Sequence, residues 1–470
     1  MKIPFGSPPP FTFMKATPTK TAWRGVKAPG LWLMMSLLGL TLLDGSEIKA
    51  QAEPKVFNVR EFGATGNGAT LDTKAIQDSL DVCGKAGGGT VLFPAGTYLS
   101  QPLTLRTRTT VQLETGATLL ATTNQSDFMK MPGDWLKAGS SSDFIPFIGG
   151  KKLTDITFTG PGTIDGNGAV WWGEAEKARQ QKPGYTLPRP NLIVLDRCRN
   201  VRLENITLEN SPKFHFVPSD CEDVVVSNVT ILAPAHAANT DAIDPSGRHM
   251  LITKCKIDVG DDDVAIKAGR RIPGHEFESE DITITDCTIL HGHGISIGSE
   301  TLGGVRNVNV RNCTFENTEN GLRIKSQRGK GGVVENIRYR DITMKNVVPA
   351  ITLTCYYMNN SAGDTTQPSA AKTDAAQLAN TLTPVFRNIY INNLTATCQK
   401  SAGVITGLPE SEISNVVLED VRISSVTGMT IKNASGVQCK DVQITTQQGP
   451  PFITENASVE NVENLKATSP

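Results

Sequence analysis

The sequence predicts an all-β fold, a right-handed parallel β-helix with one capping helix at its N-terminal end. Three observations predict it. An eight-residue pattern of two short strands around a polar bend recurs through most of the chain. Glycine accounts for 43 of 470 residues while aromatic content is 6%, which favours a turn-rich β architecture. A single amphipathic segment precedes the repeats and reads as a cover for the open end of a stack.

The clearest copies are VRLENITL at 201, VVVSNVTI at 224, MLITKCKI at 250, ITITDCTI at 282, VNVRNCTF at 308, IRYRDITM at 337, IYINNLTA at 389, VVLEDVRI at 416 and VQCKDVQI at 437. Their starts are 23, 26, 32, 26, 29, 52, 27 and 21 residues apart. The longest interval reads as two coils, with Ile351-Thr352-Leu353 inside the second. Positions one, three, six and eight are mostly apolar, an alternation of period two broken at the bend. A unit of about 25 residues with a few short strands cannot bury its own apolar face, so neighbours must stack. Asn205, Asn228, Asn312 and Asn393 share the bend position. Asn tolerates a left-handed backbone there and is expected to form a ladder of side-chain amides. These residues match the glycosylation sequon only because Asn-x-Thr is the repeat's own bend. Cys255, Cys287 and Cys313 hold the sixth position, where other copies carry Ile, Val or Leu. They read as small buried hydrophobes rather than disulfide partners. The total of nine cysteines is odd in any case.

In chain order, residues 1–52 read as an export signal. Lys15, Lys20, Arg24 and Lys27 precede an apolar run at 31–43, and Ala50-Gln51-Ala52 supplies a small-x-small cleavage site. The run is shorter than the roughly 20 residues a membrane span needs. The expectation is a secreted or periplasmic protein, monomeric and free of the membrane once mature. Residues 53–470 form one domain, with a cap at 53–103, coils at 104–460 and a tail at 461–470. Within the cap, Ile76, Leu80 and Val82-Cys83 give helical spacing over 73–85, ended by Gly87-Gly88-Gly89. Two segments, 124–150 and 358–384, break the rhythm and are expected to wall a groove. The net charge is −1, from 46 basic and 47 acidic residues, which gives no footprint for nucleic acid.

The chemistry concentrates where consecutive coils line up. The strands Ala242-Ile243-Asp244, Ala265-Ile266-Lys267, Ser296-Ile297-Gly298 and Arg323-Ile324-Lys325 align with each Ile inward, so their flanking residues share one outer strip. Their first members are 23, 31 and 27 residues apart, about one coil each. Asp241, Asp261, Asp262 and His293 fall just before these strands. Close carboxylates suit glycoside hydrolysis, because repulsion keeps one protonated while another ionises. Arg323, Lys325 and Lys267 beside them suit a substrate that itself carries carboxylates.

These residues resemble the polygalacturonases, glycoside hydrolase family 28. The resemblance rests on FNVREFGATGNG at 57–68, GPGTIDGNGAVWW at 160–172, and NTD, GDD, GHG and RIK in order at one-coil spacing. It implies inverting hydrolysis of α-1,4-linked galacturonan in pectin, with no metal and no cofactor. It implies Asp261 as general acid, Asp241 and Asp262 as the pair activating water, and His293 as keeper of the acid's proton. Arg323 and Lys325 would bind a galacturonate carboxylate, with Lys267 as a further contact, and Tyr356 or Tyr357 would line the subsite. The chain departs from the family at Asp263, where Cys is usual; that adds a fourth carboxyl beside the acid or one pointing elsewhere. Two of the three catalytic carboxyls are sequence neighbours, so a gap below the usual inverting separation of about 6.5–9.5 Å is expected. The alternatives are a rhamnogalacturonan or other pectic hydrolase, a calcium-dependent lyase that leaves GHG and RIK without a job, and a non-catalytic glycan-binding adhesin.

Overall fold

The computed structural model describes residues 55–182, 185–357 and 374–461, all within the unit spanning 53–470. The expected export signal lies outside the described residues, as do most of the 358–384 segment and the tail beyond 461. Three parallel ladders run along the described chain and make a right-handed β-helix. In the first, the opening residue of every repeat stacks on the next: Val201, Val224, Met250, Ile282, Val308, Ile337, Ile389, Val416 and Val437 form one unbroken column. The eighth residues make the second ladder, as Leu208 on Ile231 and Ile257 on Ile289 show. Both columns are buried, which gives the stack its continuous core.

The third ladder carries Ile193, Phe216, Ile243, Val264, Ile295, Leu322 and Ile351 in register. It corrects two expectations. Ile337 pairs directly with Ile389, so the 52-residue interval is one enlarged coil, and Ile351–Thr354 is its third strand. Ile243 stands over Val264 rather than Ile266. The alignment of Ala242-Ile243-Asp244 therefore slips by two residues, which a side-chain period of two leaves on the same face. Asp244 thus heads the outward column that continues through Ala265, Ser296 and Arg323.

The bends are left-handed as expected, with φ of 57° at Asn205, 54° at Asn228, 50° at Asn312 and 52° at Asn393. The amide ladder forms in separate steps. Asn228 Nδ2 donates to Asn205 Oδ1 at 2.8 Å and Asn393 to Asp341 at 2.8 Å, while Asn312 bonds Asp286. Lys254 occupies the bend after Asn228 and ends that run. A second ladder was not anticipated: Asn307, Asn336, Asn388 and Asn415, each at positive φ, link in sequence at the other end of the first strand.

The capping helix, α1, spans Thr73–Lys85 and buries Ile76, Leu80 and Cys83; Val82 faces out. The ladders begin before residue 104, since Val56–Asn58 already pairs with Gly89–Phe93. A second helix, α2 at Ala169–Gln181, departs from the expectation of strands alone after the cap. Its Trp171 is fully buried among Phe128, Trp135 and Phe144, with ring centroids 5.8, 4.8 and 5.9 Å away. The segment after residue 124 thus carries an aromatic core of its own, and none of its residues up to 150 lines the cavity described below. All nine cysteines are free, and Cys255, Cys287 and Cys313 are buried. Among the described residues no helix is long and apolar enough to cross a membrane.

Substituting the bend separates backbone from amide. Asn228→Ala loses the bond to Asn205 and holds Ala at positive φ, so urea unfolding should show a loss of about 1–3 kcal/mol. Asn228→Gly should lose less, because glycine takes the left-handed conformation freely. Equal losses in the two variants would contradict this account of the bend.

Candidate active site

The third ladder's inward residues fix where its outward residues and preceding turns must go. The turns ahead of Ile243, Val264, Ile295 and Leu322 deliver Asp241, Asp261-Asp262, His293 and Glu319-Asn320 to one cavity of about 1110 Å³. Arg323, Lys325, Lys267 and Tyr357 also line it. Tyr356 does not: its hydroxyl donates to Asp374 Oδ2 at 2.8 Å, beside Arg328. Of the two tyrosines only Tyr357 is at the site, with Lys325 Nζ 5.0 Å from its ring centroid. The strip is not open to solvent as an external face would be. Asp241, Asp262, Arg323 and Lys325 are each at most 4% exposed.

Asp262 is the electrostatic hub. Its Oδ1 accepts from Arg323 Nη2 and, at 3.0 Å, from Ser296 Oγ; its Oδ2 accepts from Lys325 Nζ at 2.7 Å. Ser296 in turn accepts from Arg323 Nε at 2.8 Å. Burial works against the Asp262 charge, but Arg323, Lys325 and Lys267 hold its carboxyl well below the usual range. The two cations expected to grip substrate are thus already bonded to a carboxylate of the protein.

Asp261 and His293 form the second unit. Asp261 Oδ1 lies 3.1 Å from His293 Nδ1, and His293 Nε2 lies 3.0 Å from Glu319 Oε2. Burial disfavours charge on both partners. The adjacent imidazolium nevertheless holds Asp261 down to about 2, and Asp261 with Glu319 holds His293 up to about 10. Asn239 donates to Asp261 Oδ2 from its backbone N at 3.2 Å and its Nδ2 at 3.3 Å. The fully buried Arg189 orients that amide, bonding Asn239 Oδ1 at 3.2 Å.

The remaining carboxyls behave oppositely. Burial, then Asp244 and Asp261, push Asp241 well above the usual carboxylate range, and its Oδ1 is buried without a partner. Burial raises Asp244 to about 6, although Lys267 Nζ stands 3.8 Å away. Asp263 points away from the cavity: its Oδ2 accepts from Gly294 N at 2.8 Å, and burial pushes its carboxyl well up. The position where the family usually carries Cys is therefore a buried carboxyl pushed toward its neutral form. Burial and its carboxyl neighbours push Asp241 toward its neutral form, while the pairing of Asp261 with His293 favours the proton on the imidazole.

Asp261, Asp262 and His293 bring one donor atom each within 4.8 Å of one another, an arrangement a cation could share. Those donors already have partners in Arg323, Lys325 and Glu319.

Sequence reasoning missed Asn239, Ser296, Glu319, Asp244 and Arg189. Asn239 opens the NTD motif, and Asp244 and Ser296 stand in the aligned strands, so their signal was present but unweighted. Glu319 and Arg189 lie in turns without a repeat position.

The His293 pair has a pH signature. The folded chain holds the imidazole proton to about 10, against an ordinary value near 6.5. Its contribution to stability is therefore full below about 6.5 and fades as pH rises toward 10. Nitrogen-15 NMR of the ring should show imidazolium at pH 7.5; a neutral ring there would contradict the pairing.

Comparison with known proteins follows from this geometry. The sequence model for Glycosyl hydrolases family 28 matches residues 83–465. The chain is 34% identical over 420 residues to an endo-polygalacturonase of Pectobacterium carotovorum subsp. carotovorum, covering 86% of this chain and 97% of that one. It is 31% identical to a probable polygalacturonase of Vitis vinifera, covering 82% and 77%. Among solved structures, a polygalacturonase from Erwinia carotovora ssp. carotovora aligns with TM-score 0.66 and 30% identity over 87% of this chain and 97% of that one. With the matched region spanning both the coils and the carboxylate cavity, the chain belongs to family 28 of the glycosyl hydrolases and is a glycoside hydrolase.

Proposed function

We propose that this enzyme hydrolyses α-1,4-galacturonosidic bonds of pectic polygalacturonan, with inversion, after export from the cell. The observation that carries the reading is the juxtaposition of Asp241, Asp261, Asp262 and His293 with Arg323, Lys325 and Lys267 in one cavity. The polygalacturonase names of its relatives support the same substrate. An acidic polymer gives the cations an occupant and the carboxyls a bond to cut.

In this reading Asp261 protonates the leaving oxygen. It draws that proton from His293 Nδ1, 3.1 Å away, when sugar replaces water in the cavity. The neutral imidazole left behind keeps its Nε2 proton toward Glu319. Asp241 and Asp262 hold the attacking water between a carboxylic acid and a carboxylate. Asp262, held ionised at rest by Arg323 and Lys325, takes the water's proton as the water oxygen bonds the anomeric carbon and the glycosidic bond breaks. That proton returns to His293 through solvent as product leaves.

A second assignment is favoured by one observation. Asp241 has a buried, unpartnered Oδ1 and is pushed well above the usual carboxylate range, which suits it to be the acid with Asp261 as base. The leaving group separates the two. Asp261→Asn should lower kcat on polygalacturonan by about 10²–10⁴-fold, and far less on an aryl galacturonide whose leaving group needs no proton. Asp241→Asn should lower both. The reverse pattern would exchange the roles.

The stereochemistry is equally direct. Proton NMR of early digests should show the β-anomer of the new reducing end first, relaxing later to the mixture. An initial α-anomer would mean a covalent intermediate and would sink the single-displacement reading.

A further inference from the structure

Lys213 differs from the other cations of the cavity. Lys267 stands 3.8 Å from Asp244, Lys325 2.7 Å from Asp262, and Arg323 bonds Asp262 directly. Among the described residues Lys213 has no carboxylate within ion-pair distance. Its Nζ donates to Ser141 Oγ at 3.0 Å and stands 4.4 Å from the centroid of the Phe214 ring. These contacts fix the ammonium in place without neutralising it. Asp241 and Asp244 act on Lys213 only from beyond ion-pair distance, and Asp244 lies nearer to Lys267. Desolvation and the nearby Arg189 depress the Lys213 pKa more than the distant Asp241 and Asp244 raise it.

Its place in the stack says what is missing. Lys213 leads into Phe216–Ser219, and from Phe216 the third ladder steps through Ile243, Val264 and Ile295 to Leu322. At about 4.8 Å per step, Lys213 and the coil of Arg323 and Lys325 lie at opposite ends of the catalytic carboxyls. Lys213 and Phe214 line the same cavity as those carboxyls.

We infer that Lys213 is a specificity residue that binds the carboxylate of the sugar on the far side of the cleaved bond from Arg323 and Lys325. The enzyme then selects unesterified galacturonate on both sides of that bond. A methyl ester at either sugar removes the charge its cation requires. This rests on the proposed galacturonan reading.

The test compares wild type, Lys213→Met and Lys213→Arg on de-esterified and highly methyl-esterified polygalacturonan, with thermal melting to confirm folding. Lys213→Met should lose at least tenfold in kcat/KM on the de-esterified polymer and little on the esterified one. Lys213→Arg should keep most of the preference. An equal loss on both polymers, or none, overturns the inference. If Lys213→Met does not fold, wild type on oligogalacturonates carrying a single methyl ester decides. Two sugar positions should each slow cleavage at least tenfold when esterified; one sensitive position overturns the inference. Absence of new reducing ends with wild type on every pectic polymer would instead refute the substrate reading itself.

Discussion

Parallel register is the constraint on which the rest of the molecule depends. Each inward residue stands over its counterpart in the coil before, from Ile193 through Phe216, Ile243, Val264, Ile295 and Leu322. Because side chains alternate with period two, fixing the inward column also fixes the outward one. The core thereby sets the positions of acids and bases that lie up to 84 residues apart in sequence, from Asp241 to Lys325. A slip of one residue in any coil would send its functional side chain into the core.

That stacking creates an electrostatic problem that the site solves by division of labour. Five carboxyls, Asp241, Asp244, Asp261, Asp262 and Asp263, are largely withdrawn from water. Leaving them all ionised and unpaired would be very unfavourable. Arg323 and Lys325 hold the Asp262 carboxyl low, His293 holds Asp261 low, and burial pushes Asp241 and Asp263 high. The outcome is a set of neighbouring carboxyls whose proton affinities are pushed apart, which is what acid–base catalysis of glycosidic cleavage requires. Arg323 and Lys325 serve this balance before any substrate arrives.

Much of this was legible in the sequence, for physical reasons that can be named. The repeat shows because a small inward residue every second position and a left-handed bend are both strict demands on residue type. Asn205, Asn228 and Cys255 were therefore placed correctly from pattern alone, and α1 was found over the predicted 73–85. The site strip followed from the same period. What escaped was whatever the period does not constrain. The two-residue slip at Ile243 preserves the face and so leaves no mark on the hydrophobic pattern. The enlarged coil between Ile337 and Ile389 mimics two coils in length. Tyr356 and Tyr357 are adjacent, and only the contact with Asp374 shows which one turns away. Proton positions depend on burial and on Glu319, which belong to three-dimensional surroundings rather than to any motif.

The central claim is that these stacked carboxyls are the place where the acidic polymer is cut. A crystal structure of Asp261→Asn with a bound hexagalacturonate tests it most directly. The account predicts a glycosidic oxygen within hydrogen-bond reach of the residue 261 side chain, with water held between Asp241 and Asp262. A saccharide ordered elsewhere on the coils, leaving that cavity to solvent, would contradict it.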